Sequence, residues 1–319
     1  MNPARPSKED IIQAHDRIRP FIHRTPVLTC ETLDRHLSSH LFFKCENFQK
    51  AGAFKYRGAT NSVQSLPPEQ LKHGVATHSS GNHAQALAKA AGVKGIPAYV
   101  VMPSNSSKVK VEAVKNYGAE ITFCVPTLQA REDTLKQVIA KTGATEVHPY
   151  DRLPTICGQA TAAKELMEDI PGLDMIIAPV GGGGLLSGTA LSAHYFSPAT
   201  GVLAAEPAKA ADAFESFTRK TFIPSVAPDT IADGLRTSLG NLTFPIILEH
   251  VSAIILVGEE EIIAAMRLVW ERMKIIIETS SATAVAAVLK NMDMVRNKRV
   301  GIIVSGGNVD LDSLPWIIK

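Results

Sequence analysis

A chain of 319 residues is longer than one hydrophobic core usually serves, so two domains with ample apolar burial are expected. The formal net charge of +2, with both signs scattered along the chain, leaves no electrostatic footprint for nucleic acid or an anionic membrane. The stretch Met1 to Asp10 lacks the apolar core of a secretory signal and runs such as Met175 to Val180 are too short to span a bilayer, which points to a cytoplasmic protein.

In chain order, short apolar runs alternate with helical patterns, the signature of an α/β fold with largely parallel sheets. Val75 to His78 reads as a strand and Ala84 to Ala91 as the helix after it. A strand over Ile96 to Met102, a helix over Lys108 to Tyr117 and a strand over Ile121 to Val125 repeat the pattern, with Gly118 as helix C-cap. This compact unit ends near His148. A second series begins after Pro149, with a helix over Thr161 to Glu168, a strand over Met175 to Val180, glycines, a helix over Leu185 to Tyr195 and a strand over Val202 to Glu206. Ile263, Met266, Val269, Trp270 and Met273 recur at helical spacing within Glu260 to Ile276, a stripe suited to core or dimer contact. Arg299 to Val304 is the last strand and delivers Ser305. Cys30, Cys45, Cys124 and Cys157 are widely spaced, so reduced, mostly buried thiols are expected instead of a disulfide framework or a zinc site.

Four motifs carry chemistry. Lys55 stands in Ala53-Phe54-Lys55-Tyr56-Arg57-Gly58; a desolvated lysine amine can be a nucleophile toward an aldehyde and a general base. Ser79-Ser80-Gly81-Asn82-His83 lies at a strand-to-helix junction, where Ser and Asn are also ordinary caps. Gly181 to Gly184 follow a strand and open a helix, so their amides can converge on an anion that the helix dipole favours. The run lacks the Lys-Ser/Thr of a Walker loop and the spacing of a dinucleotide fingerprint. Ser305-Gly306-Gly307-Asn308 closes the last strand with a hydroxyl.

In this order, across nearly the whole chain, the motifs resemble those of fold-type II pyridoxal phosphate enzymes (tryptophan synthase beta-like), most closely the serine racemase and short serine/threonine dehydratase group. The resemblance implies a small mobile domain over 74–150 inserted into a large one built from 1–73 and 151–319, with the cofactor in the cleft between them. It further implies that Lys55 binds the cofactor aldehyde and removes the substrate Cα proton, while Ser80 serves as acid or base on the opposite face. Phe54, Asn82, Leu185 and Ser305 join the glycines around the cofactor, with Asn82 at its 3-oxygen and Ser305 at its pyridine nitrogen. Ser79, Ser80, Gly81, Asn82, His83 and Ser238 would hold the substrate. Glu206, Ala210 and Asp212 match a divalent site for Mg²⁺ or Ca²⁺, two carboxylates and a carbonyl being suitable hard ligands. Lys50, Gln85, Tyr117, Lys274 and Asn308 match positions where animal serine racemases bind ATP at a homodimer interface.

Some positions depart from the common pattern. Ala51 and Ala53 stand where Ser or Thr is usual, a form found in the hydroxyaspartate-dehydrating branch. Tyr150 replaces an Asn, and Glu278 is followed by Thr279-Ser280-Ser281-Ala282 where a Pro-containing turn is usual. The chain stops shortly after Asp310, so no feedback site for isoleucine is expected. The implied activity is racemisation of serine with β-elimination from serine or threonine to pyruvate or 2-oxobutanoate and ammonia. The alternatives are a threo-3-hydroxyaspartate dehydratase giving oxaloacetate, and a non-catalytic metabolite-binding protein on the same scaffold, told apart by whether purified protein is yellow.

Overall fold

Among the described residues, 5–79 and 81–317 of this computed structural model, ten strands form two sheets. The strands are β1 (Val27–Leu28), β2 (His40–Cys45), β3 (Val75–His78), β4 (Ala98–Pro103), β5 (Glu120–Cys124), β6 (Thr145–Glu146), β7 (Met175–Pro179), β8 (Gly201–Pro207), β9 (Ala253–Val257) and β10 (Arg299–Val304). The larger sheet has the order β1-β2-β10-β7-β8-β9 and the smaller one β5-β4-β3-β6. Every pairing is parallel except that of β1 with β2. Strands such as Met175-Ile176-Ile177-Ala178 are apolar on both faces because helices cover both faces of a parallel sheet.

Each expected strand is present within two residues at either end. The helix expected at 84–91 extends over Asn82–Lys94, and the one at Lys108 ends at Asn116, where Gly118 takes a left-handed φ of 83° and donates its amide to Lys115 O at 2.8 Å. The helix read as Thr161 to Glu168 spans Leu153–Asp169, with a proline in its first turn, where no intrahelical amide is needed. The helix read as ending at Ile276 stops at Met273, because Lys274 turns left-handed. Its buried face is centred on Ile262, Ala265, Met266 and Val269, while Trp270 and Met273 pack at its edge.

Two devices position Lys55. Beyond the parallel β2–β10 pairing, which ends at Cys45 opposite Val304, Ala53 forms a separate antiparallel bridge with Gly306, and Phe54 N donates to Ser305 O at 2.9 Å. The lysine motif and the terminal serine motif are therefore joined through backbone. Helix Lys55–Ser65 then packs on helix Leu153–Asp169 so closely that a Cβ on Gly158 would lie 2.6 Å from Gly58 Cα. Beside this crossing Arg57 is fully buried, with Nε 2.7 Å from Glu46 and a terminal nitrogen 2.7 Å from Glu165; Lys44 Nζ also reaches Glu165, at 2.8 Å. Burial works against the Glu165 charge. Hydrogen bonds from His15 and Arg57 and the charges of Arg57 and Lys44 outweigh it and hold the carboxyl below its ordinary range.

Candidate active site

The C-terminal ends of β3, β7 and β10 point at one cavity of about 390 Å³ lying between the two sheets. Such strand ends are where open α/β folds place ligands. Lys55 is half-buried on its wall, with Nζ donating to Pro149 O at 2.9 Å and lying 5.1 Å from the Phe54 ring. Burial lowers its pKa to about 8. At pH 7 about a tenth of such amines are free, against fewer than about one in a thousand for an ordinary lysine.

Opposite the amine, β7 runs through Val180 into Gly181–Gly184 and the helix Gly184–Phe196, whose first-turn amides lack intrahelical partners. Side chains are excluded throughout this turn. A Cβ on Gly182 would meet the Tyr150 ring at 2.3 Å, one on Gly181 would meet Leu235 Cα at 2.9 Å, and Gly183 has a φ of 86°. The result is a backbone cradle with the helix dipole behind it, fitted to a phosphate. Leu185, the next helical residue, also lines the cavity. Ser305 completes this side: it is buried, and its Oγ lies 3.0 Å from Ser281 Oγ.

The other wall follows β3. Ser79, Gly81, Asn82 and His83 line the cavity; Ser80 lies outside the described residues. Asn82 is held on both sides, its Nδ2 donating to Glu278 Oε1 at 2.7 Å and its Oδ1 accepting from Asn308 Nδ2 at 3.0 Å. One amide hydrogen remains for a ligand. His83 Nε2 donates to Val147 O at 3.1 Å, and burial lowers the pKa of this imidazole to about 3, so it is neutral.

Several residues enter the cavity without having been read from sequence. Glu278, 3% exposed, has its pKa pushed up to about 7 by burial, and its Oε2 has no partner among the described residues. Tyr150 lies across the glycine turn with its hydroxyl 3.1 Å from Thr237 Oγ1. Lys110 pairs with Asp233 across the cavity, and Arg131 stands at its rim. Of these, only Tyr150 and Glu278 carried a signal, as departures from the family pattern.

Ser238 does not line this cavity. Its hydroxyl accepts from Ser225 N at 2.8 Å, and the neighbouring Thr237 lines the cavity in its place. The residues expected at a nucleotide site on a dimer interface lie outside this cavity: Lys50 donates to Phe21 O, Gln85 is buried, Tyr117 lies under Lys89, Lys274 is exposed, and Asn308 braces Ala51 O and Asn82. Glu206 and Asp212 form a separate buried pair. Glu206 accepts from the amides of Ala213 (2.9 Å) and Phe214 (2.8 Å), whereas both Asp212 oxygens lack a partner among the described residues. Burial pushes their pKa values up, to about 8 and about 6. Ala210 lies in the turn between them.

Residues 18–306 match the family model described as "Pyridoxal-phosphate dependent enzyme". The β-hydroxyaspartate dehydratase of Paracoccus denitrificans is 50% identical over 98% of this chain and 99% of its own length. The serine racemase of Dictyostelium discoideum is 52% identical over 98% of this chain and 97% of its own. The structure of maize serine racemase superposes with a TM-score of 0.94 at 44% identity, covering 98% of this chain and 97% of that one. The chain therefore belongs to the pyridoxal-phosphate dependent enzyme family. Within it, the chain groups with the serine racemases and short dehydratases of fold type II.

Proposed function

We propose that this enzyme interconverts L- and D-serine and also eliminates water from serine or threonine. The observation that carries the reading is the placing of the Lys55 amine, with its pKa near 8, between a phosphate-fitted glycine turn and the Ser79–His83 loop. When bound, pyridoxal phosphate supplies an aldehyde that condenses with an amine and a ring that accepts electron density from Cα. The rest falls to the protein. Lys55 takes the Cα proton; Ser79 and the amides of its loop hold the substrate carboxylate; when the cofactor is bound, Asn82 would offer its remaining hydrogen to the 3-oxygen and Ser305 would present a neutral hydroxyl to the pyridine nitrogen. Ser80 returns a proton from the opposite face to give D-serine. Loss of the β-hydroxyl instead gives pyruvate, or 2-oxobutanoate from threonine, with ammonia.

A divalent cation, Mg²⁺ or Ca²⁺, would be held by Glu206, Asp212 and the Ala210 carbonyl. What supports it is the pair of Asp212 oxygens without a partner among the described residues, beside a buried Glu206. The division into domains 74–150 and 1–73 with 151–319 is supported by the separate sheet formed by β3 to β6. Homodimerisation is supported by the exposed Phe48 and Ile276, and ATP binding rests on the resemblance alone.

Chiral chromatography of serine with a parallel pyruvate assay tests the reading. Wild type should form both D-serine and pyruvate, and Ser80→Ala should lose D-serine while retaining elimination. Undiminished D-serine from the variant would refute the two-face scheme. Wild type that makes pyruvate or oxaloacetate but no D-serine would leave a dehydratase.

A further inference from the structure

Ser281, fully buried in the first turn of helix Thr279–Lys290, faces the turn that follows β10. Its Oγ accepts from Gly306 N at 2.6 Å, lies 2.7 Å from Gly306 O and lies 3.0 Å from Ser305 Oγ. A hydroxyl has one hydrogen and two lone pairs, so the directions of these three bonds are fixed by counting. Gly306 O can only accept, and two oxygens at 2.7 Å with no hydrogen between them repel, so the Ser281 hydrogen belongs to that bond. The carbonyl also accepts from Glu278 N at 3.0 Å, and its two lone pairs accommodate both donors. With its hydrogen committed, Ser281 can only accept from Ser305. The Ser305 hydrogen therefore points to Ser281, which does not line the cavity and is the only side-chain partner of Ser305 among the described residues.

What Ser305 keeps for the cofactor ring is a lone pair. Opposite an unprotonated pyridine nitrogen that lone pair meets another one. Opposite a protonated nitrogen it accepts a charge-assisted hydrogen bond, and bonding to the charged form favours that form. We infer that Ser281 is a positioning residue that fixes the direction of the Ser305 hydroxyl, so that the bound cofactor carries a proton on its ring nitrogen. This deepens the proposed role of Ser305 and rests on the bound cofactor, whichever substrate the enzyme takes. A protonated ring draws electron density from Cα more strongly, which favours return of a proton to Cα over prompt loss of the β-hydroxyl. Ser281 is thereby a residue that sets the balance between racemisation and elimination without touching the substrate.

The ring nitrogen can be read directly. Apoenzyme of wild type, Ser281→Ala and Ser281→Thr is loaded with pyridoxal phosphate carrying ¹⁵N in the ring, and the nitrogen chemical shift is compared at one pH with those of the protonated and unprotonated free cofactor. The charged groups around the cavity, Glu278, Lys55, Lys110 with Asp233, Arg131 and Arg236, are present in all three proteins, so a difference between them reports the hydroxyl. Wild type should show a protonated nitrogen. Ser281→Ala frees Ser305 to donate to the ring and should show an unprotonated one, while Ser281→Thr, which keeps the hydroxyl, should match wild type. The ratio of D-serine to pyruvate formed from L-serine should fall about fivefold in Ser281→Ala, the effect of one net hydrogen bond. An unprotonated nitrogen in wild type would overturn the inference by itself, whether or not Ser281→Ala folds, and so would a protonated nitrogen in both wild type and Ser281→Ala. The shifts do not depend on turnover: an enzyme that binds the cofactor but makes no D-serine would remove the functional reading and leave the assignment of Ser281 to the shifts alone.

Discussion

Replacing Arg57 by Met should unfold the enzyme far more readily, for a reason that lies behind the catalytic lysine and not in the cavity. The guanidinium makes close bonds to Glu46 at 2.7 and 2.8 Å, to Glu165 at 2.8 and 2.7 Å and to Thr161 at 3.1 Å, with every partner buried. Met roughly fills the volume but leaves Glu46 with only the Thr25 hydroxyl at 2.6 Å and Glu165 with Lys44 and His15. Removing one partner of a buried ion pair costs about 3–5 kcal/mol. At about 2.1 cal/mol/K per residue, a loss of ~4 kcal/mol lowers Tm by about 6 °C.

The pH dependence isolates the cause. In wild type the Glu165 pKa is depressed, so its contribution is present above the unfolded carboxylate value and lost as pH falls through that range. In Arg57→Met the buried Glu46 keeps only a hydroxyl partner and its charge becomes costly, so the variant should lose stability as pH rises from about 5 to 8. Urea unfolding at both pH values measures this, and Arg57→Met/Glu165→Met should recover part of the loss. A penalty below about 1 kcal/mol, or one that does not change with pH, would refute the argument that buried charge is what the arginine stabilises.

Borohydride reduction of the yellow holoenzyme should fix the cofactor to the peptide containing Lys55, and mass spectrometry finding it on another lysine would remove Lys55 from its role. Mg²⁺ at a hundredfold excess over its Kd should stabilise the protein by about 2.7 kcal/mol, near 4 °C in Tm, and chelation should reverse this; Asp212→Ala responding like wild type in thermal shift would put the cation elsewhere. His83 has a folded pKa of about 3, below its unfolded value of about 6.5, so its contribution is complete above pH 6.5 and lost as pH falls toward 3. The loss from this residue at pH 5 should be about 2 kcal/mol, and His83→Gln should flatten that part of the urea-derived stability profile.

The two series of alternating strands and helices could be read from sequence because their signals are local: apolar runs of strand length, glycines at helix ends and hydroxyls at helix starts. Helix Thr279–Lys290 could not, since Ser280 through Val288 are all buried and no polar face marks its period. The same holds for the first two turns of helix Leu153–Asp169, where Thr155 through Ala163 are buried. In the site, Lys55, the glycine run and Ser305 announce themselves, each being a short motif at the end of an element. Glu278 shows only as the residue before an unusual turn: it meets Asn82 across 196 residues of sequence, and no local pattern tells that it is buried there. Ser238 and Thr237 show the limit at its narrowest. Both are plausible hydroxyls one position apart, and only the path of the chain decides which one faces the cavity.

That division has a physical basis in how the two seats are built. The cofactor's seat is mostly backbone: the amides of Gly181–Gly184, a helix dipole, and the bridge that brings Ser305 to Phe54. Backbone cannot be substituted away, and the glycines it requires are conspicuous, so the cofactor is legible. The substrate's seat is mostly side chain. Ser79, Arg131, Tyr150 and Glu278 reach the cavity from four separate parts of the chain, and of these only Tyr150 touches the glycine turn. Relatives of nearly equal similarity carry the names of a serine racemase and a β-hydroxyaspartate dehydratase, so the choice of substrate rests on these few side chains and not on overall identity.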